Sequence, residues 1–199
     1  MTPCQSLAKM MTLWALTAVM LAGCADPDAG TGQPSFYRNL AQTGIQLDAR
    51  AAASMISGYR KNNGLGPVTL DPVLTRLAEQ QAAAMARSDK LDHNAGGPFY
   101  DRMKASGYLY KSAAEDIGAG YYTLAEAFSG WRDSPPHRAK MLLKDVTRIG
   151  IAATYQPNTK YKVFWALVLA APADPKDRGG APPPDVTVDV LGAPNLSAQ

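Results

Sequence analysis

The stretch from Lys160 to Ala170 limits the possible folds more than any other part of the chain. At the two-residue period of a strand, Tyr161, Val163, Trp165, Leu167 and Leu169 fall on one face. The intervening residues, Phe164, Ala166, Val168 and Ala170 among them, make a second face that is also largely apolar. A strand apolar on both sides needs cover on both sides, so it belongs inside a sheet with helices above and below. Arg148 to Tyr155 offers a neighbour, with Ile149, Ile151 and Ala153 alternating, and Gln156-Pro157-Asn158-Thr159 reads as the hairpin turn between the two.

The covering helices must come from upstream. Asp48 precedes a helical stretch, Ala49 to Asn62, in which Ala52, Met55, Ile56 and Tyr59 recur at three- and four-residue intervals, and Asn63-Gly64-Leu65-Gly66-Pro67 ends it. A second helix opens at Asp71-Pro72, a capping residue followed by proline at the first helical position, and runs to about Ser88. Its stripe of Leu74, Leu77, Ala78, Gln81, Ala82 and Met85 is narrow because alanine dominates it, which suits close packing on a sheet. Ala95-Gly96-Gly97-Pro98 reads as a loop, Phe99 to Ala105 as a short helix stopped at Gly107, and Lys111 to Tyr121 as an extended segment broken by glycines. Thr123 caps a helix through about Arg132, and Ser134-Pro135-Pro136 starts another.

The two ends differ from this middle. A short start carrying Lys9 leads into the apolar run Met10 to Ala22. That run is too short for the ~20 apolar residues of a membrane span, and small residues precede the processing point, so residues 1–23 read as a signal peptide. Leu21-Ala22-Gly23-Cys24 resembles the bacterial lipobox, which makes Cys24 the acylated first residue of the mature chain. With Cys4 removed, no intramolecular disulfide can form. Residues 24–47 then form a lipidated N-terminus and tether: residues 25–35 are small, polar and rich in Pro and Gly, and Phe36, Tyr37, Leu40, Ile45 and Leu47 mark an irregular or helical lead-in. Residues 173–199 form a Pro/Gly-rich tail in which Asp185 to Leu191 alternates like a short strand.

Charge excludes one class of partner. The full chain carries +3 (20 minus 17), and loss of Lys9 with the signal leaves +2 (19 minus 17). Arg60-Lys61 is the only adjacent basic pair, so the concentrated basic surface of a nucleic-acid binder is missing. Acyl chains on Cys24, not charge, would hold the protein to a membrane. Ala25 in place of an aspartate that signals retention directs the anchor to an outer membrane where the host has one.

The chain has only two histidines, His93 in Leu91-Asp92-His93-Asn94 and His137 in Ser134-Pro135-Pro136-His137-Arg138, with Glu115 and Glu126 between them. Imidazole titrates near neutrality and is the commonest borderline metal ligand, so the four residues make a candidate metal and acid-base site. Each also has a plain structural reading. Glu126 completes a capping box with Thr123, and His137 falls at the third position of a helix capped by Ser134. Glu115 alone reads as a surface carboxylate and His93 as a polar loop residue.

Taken in order, the motifs resemble those of the CAP superfamily, which includes cysteine-rich secretory proteins, antigen five and the plant pathogenesis-related proteins of group one. Specifically, the pattern is similar to that of its bacterial SCP-like branch, over about Asp48 to Ala171. The carrying residues are Leu77 to Ala86, His93-Asn94, Arg102 with Gly107-Tyr108, Ala114-Glu115-Asp116-Ile117, Gly130-Trp131 through Arg138 with Met141-Leu142, Ile149-Gly150-Ile151 and Phe164-Trp165. The resemblance implies an α+β fold, a three-layer α-β-α sandwich with a small central antiparallel sheet, for a domain at residues 48–172. It also implies a cleft gathering His93, Glu115, Glu126 and His137, able to hold a divalent cation, zinc first, with the histidines as ligands and the glutamates close in or acting through water. Zinc takes about four donors, so two imidazoles leave exchangeable positions and a labile site. Two departures bear on the cleft: the family's frequent Glu-Asn pair is Glu115-Asp116, adding a charge, and the polar residues common after the last tryptophan are Ala166-Leu167-Val168.

The favoured function is an exported, lipid-anchored binding module whose cleft takes a cation, a peptide, a lipid or another small envelope component, without catalysis. The alternative is a metal-assisted hydrolase with Glu115 or Glu126 as general base. A serine mechanism would need Ser134, which reads better as a helix cap. Ligand identity and oligomeric state are open at this level.

Overall fold

The structure, a computed structural model, describes residues 32–174. The signal peptide, Cys24 with its anchor, most of the tether, and the tail with its 185–191 segment lie outside the described residues. After a 3-10 turn at Ser35–Tyr37, the elements are α1 (Ala49–Asn62), β1 (Thr69–Leu70), α2 (Pro72–Ser88), α3 (Phe99–Ala105), β2 (Tyr110–Ala119), α4 (Leu124–Asp133), α5 (Pro135–Met141), β3 (Arg148–Tyr155) and β4 (Val163–Pro172). Among the described residues no helix is long and apolar enough to cross a membrane.

The sheet order is β1-β3-β4-β2. Strand β4 runs between antiparallel neighbours, Ile151 pairing with Leu167 on one side and Asp116 with Leu167 on the other. Every residue from Val163 to Ala170 is 0% exposed, so both faces are covered as the double apolar pattern requires. Trp165, Leu167 and Leu169 pack against Ile56 of α1, Trp131 of α4 and Met141 of α5. On the opposite face Phe164, Ala166, Val168 and Ala170 meet Leu74, Ala78, Ala82 and Met85 of α2 and Met103 of α3. The result is the expected three-layer sandwich. Its three long strands are antiparallel, and β1 adds a two-residue parallel edge, Thr69 opposite Arg148, too short to leave a pattern in the sequence.

Close approach of α2 to the sheet depends on a missing side chain. A Cβ at Gly150 would run into the backbone of Leu74 and Thr75. With alanines on the facing stripe, the helix lies almost flush on β3 and β4.

The connection before β4 is longer than the four-residue turn read from the sequence. The amide of Lys160 donates to the Asp89 carboxylate at 3.0 and 2.9 Å, Gln156 N–H donates to Lys162 O at 2.7 Å, and Lys162 takes φ +65°. Capture of this loop by the end of α2 delays the strand to Val163.

Strand β2 is the other sheet edge, and edges invite unwanted pairing. Here two outward carbonyls are already taken. Lys140 Nζ of α5 donates to Glu115 O at 2.8 Å and Trp131 Nε1 of α4 donates to Ile117 O at 3.0 Å. The Lys140 bond brings the helix bearing His137 up to the strand bearing Glu115.

Candidate functional site

The cleft is built from the one polar member of the α2 stripe. Gln81 is fully buried, its amide nitrogen donates to the carbonyls of Asp92 (2.8 Å) and His93 (3.1 Å), and its oxygen accepts from Gly96 N–H at 3.1 Å. A buried amide with its donors and acceptor matched fixes the 92–96 loop and therefore His93. A Cβ at Gly96 would stand 2.9 Å from that same oxygen, so the glycine is part of the fit.

Glu115 is 3% exposed and both its oxygens are engaged. Oε1 lies 2.9 Å from His93 Nδ1, and Oε2 accepts from Arg102 Nη2 at 2.7 Å. Arg102 also donates through Nε to Gly97 O at 2.9 Å and through Nη2 to His93 O at 3.3 Å. A carboxylate paired with a guanidinium can only accept from the imidazole, so Nδ1 carries the hydrogen and Nε2 is the nitrogen left for a ligand. This is the arrangement by which a carboxylate orients a histidine ligand and raises its basicity.

Asp116 does not add its charge to this face. Successive strand residues point to opposite sides, and Asp116 turns toward the α4–α5 layer, 0% exposed, with Lys140 Nζ 3.3 Å from Oδ1. Neither oxygen has a hydrogen bond of good geometry. Burial pushes this carboxyl up to about 7, against the opposing pull of Lys140. The departure from the family's Glu-Asn pair is thus met inside the core by an ammonium from α5.

His137 occupies the third helical position of α5 and is half-buried. Ser134 stands at the cap position, yet its side chain makes no capping bond, contrary to the sequence reading. Pro136 at the second helical position removes one of the two amides a cap can bind, and the other, His137 N–H, receives no bond from the Ser134 side chain. Burial, then the charges of Lys140 and His93, drop His137 to about 4. The ring is therefore neutral at neutral pH and close enough to His93 to sense its charge. Its Nδ1 is buried without a hydrogen-bond partner.

Glu126 takes the structural role that its motif allowed. Its Oε2 accepts from Tyr122 N–H (2.6 Å) and Thr123 N–H (3.0 Å), while Thr123 Oγ1 accepts from Glu126 N–H (3.2 Å), a complete capping box on an exposed residue. The geometry thus brings His93 and Glu115 into contact, sets His137 nearby and holds Glu126 on the cap of α4. Among the described residues no three His, Cys, Asp or Glu side chains converge as a metal cluster. A neutral His137 with an unmatched buried nitrogen and a His93 oriented by a carboxylate still fit a cation that completes its shell with water. The sequence does not set Gln81, Arg102 and Lys140 apart as site residues. Gln81 carries a signal of its own, a polar side chain in an apolar stripe, and Arg102 stands among the residues that carry the family resemblance.

Comparison with known proteins places this architecture. The model of the cysteine-rich secretory protein family, CAP, matches residues 53–169, more than half of the chain. An uncharacterized protein of Bacillus subtilis, YkwD, is 30% identical over 114 residues, a match covering 56% of this chain and 44% of that protein, so the chain spans less than half of that relative. Among solved structures, an outer surface protein of Borrelia burgdorferi superposes with a TM-score of 0.57 at 19% identity, over 63% of this chain and 93% of that one. An extracellular SCP-domain protein of Bacillus anthracis gives a TM-score of 0.53 at 20% identity, over 61% and 39%. At such identities the two structures speak for the fold alone. With the family model, the strand pattern and the fold in agreement, the chain belongs to the cysteine-rich secretory protein (CAP) family.

Proposed function

We propose that this protein is an exported CAP-domain module, anchored by acyl chains on Cys24 to the outer membrane of a host that has one, whose cleft binds a divalent cation through His93 and His137 without catalysis. The unmatched, buried Nδ1 of a neutral His137 beside the carboxylate-oriented His93 carries the reading. A cation there would act as a Lewis acid and an electrostatic anchor for a small envelope ligand, peptide or lipid headgroup. Zinc suits the imidazole pair best, and with only two protein donors it would exchange readily.

The hydrolase alternative needs a carboxylate free to take a proton. Glu115 has both oxygens engaged by His93 and Arg102, and Glu126 is occupied by two backbone amides. Neither is poised as a general base, so the binding role is favoured.

Thermal denaturation with added zinc tests the site. At about 100 times Kd, binding to the native state alone stabilises by ~2.7 kcal/mol, a shift of several degrees. The His93→Ala/His137→Ala protein should lose that shift, and equal shifts in both proteins would remove the metal assignment. Cys24→Ala should release the protein from the membrane fraction; persistence there would refute the anchor.

A further inference from the structure

We propose that the groove between α2 and α3 binds a compact organic anion, a carboxylate or phosphate head on a short apolar body, and that Arg102 couples this groove to the His93 cleft. The groove encloses about 280 Å³, just below the usual ~300–1,000 Å³ of small-molecule sites. Val73 and Leu77 of α2 and Ala105 of α3 give it an apolar lining. Arg76, Gln80, Arg102 and Ser106 supply the polar groups, and no carboxylate lines it. Arg76, and the unmatched Nη1 of Arg102 beyond its pair with Glu115, select for negative charge, and arginine matches planar or tetrahedral oxyanions through paired N–H groups.

Arg102 is 8% exposed, and its inner bonds go to Gly97 O, His93 O and Glu115 Oε2. Its Nη1 has no hydrogen-bond partner. The Phe99 ring, 5.5 Å from the guanidinium carbon, offers π density but no acceptor oxygen. A buried charged nitrogen left unmatched calls for a partner, and an oxyanion in the groove that Arg102 lines supplies one of the right charge. Arg76 is exposed and enters no ion pair among the described residues, so it can meet the same anion from the solvent side.

The two sites share one guanidinium. An anion drawing on Arg102 competes with Glu115 for its charge, and Glu115 orients His93. Groove occupancy therefore alters the His93 ring, whether or not a cation is ever bound.

The test is an NMR titration of the purified, metal-free chain with isobutyrate and with inorganic phosphate, in about 0.15 M sodium chloride, the physiological ionic strength. Saturable shifts of α2 and α3 amides are expected, with movement of the His93 ring resonances, and the tighter probe identifies the head group. Arg76→Glu, at an exposed position, should weaken binding about tenfold or more while the melting temperature stays near that of the parent. Shifts that grow linearly without saturating, or an unchanged affinity in Arg76→Glu, overturn the site. Saturable binding with unmoved His93 resonances overturns the coupling. Because metal is absent throughout, failure here and failure of the zinc reading are seen separately.

Discussion

Replacing Arg60 by methionine should unfold this domain far more readily than replacing an exposed arginine, although nothing in the sequence marks Arg60 as buried. The side chain is 0% exposed and donates only to backbone carbonyls: Nε to Gly66 at 2.9 Å, Nη1 to Met141 at 2.7 Å and Leu143 at 2.8 Å, and Nη2 to Val146 at 2.8 Å. A fifth contact, to Lys144 O at 3.5 Å, is marginal. Arg60 thus ties the end of α1 to the turn that leaves α5 and enters β3. Four charge-assisted bonds at the low end of ~1.5–3 kcal/mol each contribute about 6 kcal/mol. Desolvating the guanidinium, which also lowers its pKa, offsets several kcal/mol of that. A net loss of about 3 kcal/mol is the outcome, or roughly 10 °C in melting temperature for a domain of this size. Circular dichroism melts of Arg60→Met beside Arg76→Met, an exposed control, decide the matter. If both lose only ~2 °C, the carbonyl cage does not hold the fold as argued.

Three further outcomes separate the members of the cleft. Glu115→Gln should weaken zinc binding about 10–100-fold in calorimetric titration, because it loosens the orientation of His93; an unchanged affinity would free His93 from that dependence. Glu126→Ala should cost ~1 kcal/mol of stability through the lost cap and leave zinc affinity intact, whereas a matching loss of affinity would return Glu126 to the cleft. By NMR the His137 ring should titrate near 4, below the 6.5 of a free imidazole. The unfolded chain then binds this proton first, so the stability due to His137 is fully present above pH 6.5 and is lost as pH falls from 6.5 through 4. A ring titrating at about 6 or above would contradict the buried, neutral assignment.

Why some of this was legible in the sequence and some was not follows from the distance between partners along the chain. The capping box of Glu126 could be read directly, because Thr123 lies three residues away and the motif contains its own explanation. The bounds of α1, α2 and α3 were legible for the same reason, each helix being started or stopped by residues next to it. The double apolar face of β4 was legible because burial on two sides needs only a local period. Ser134 shows the limit of such reasoning: the cap residue is present, but Pro136 removes one of the two amides it could bind and its side chain does not take the other. The buried polar residues that hold the fold and the cleft have distant partners. Arg60 meets carbonyls 81 to 86 residues on, Lys140 reaches back 25 residues to Glu115, and Gln81 holds a loop 11 to 15 residues ahead. A buried arginine with neutral partners and an exposed one differ in nothing along the chain, so the sequence marks Arg60 only as the neighbour of Lys61. Its partners exist only once α1, α5 and β3 have been brought together. Resemblance to a family could name His93, Glu115, Glu126 and His137 as a set, but division of labour within the set is a property of contacts. Glu126 has its partners at hand and keeps them; Glu115 faces a guanidinium and an imidazole that the sheet delivers, and that is what makes it the carboxylate of the cleft.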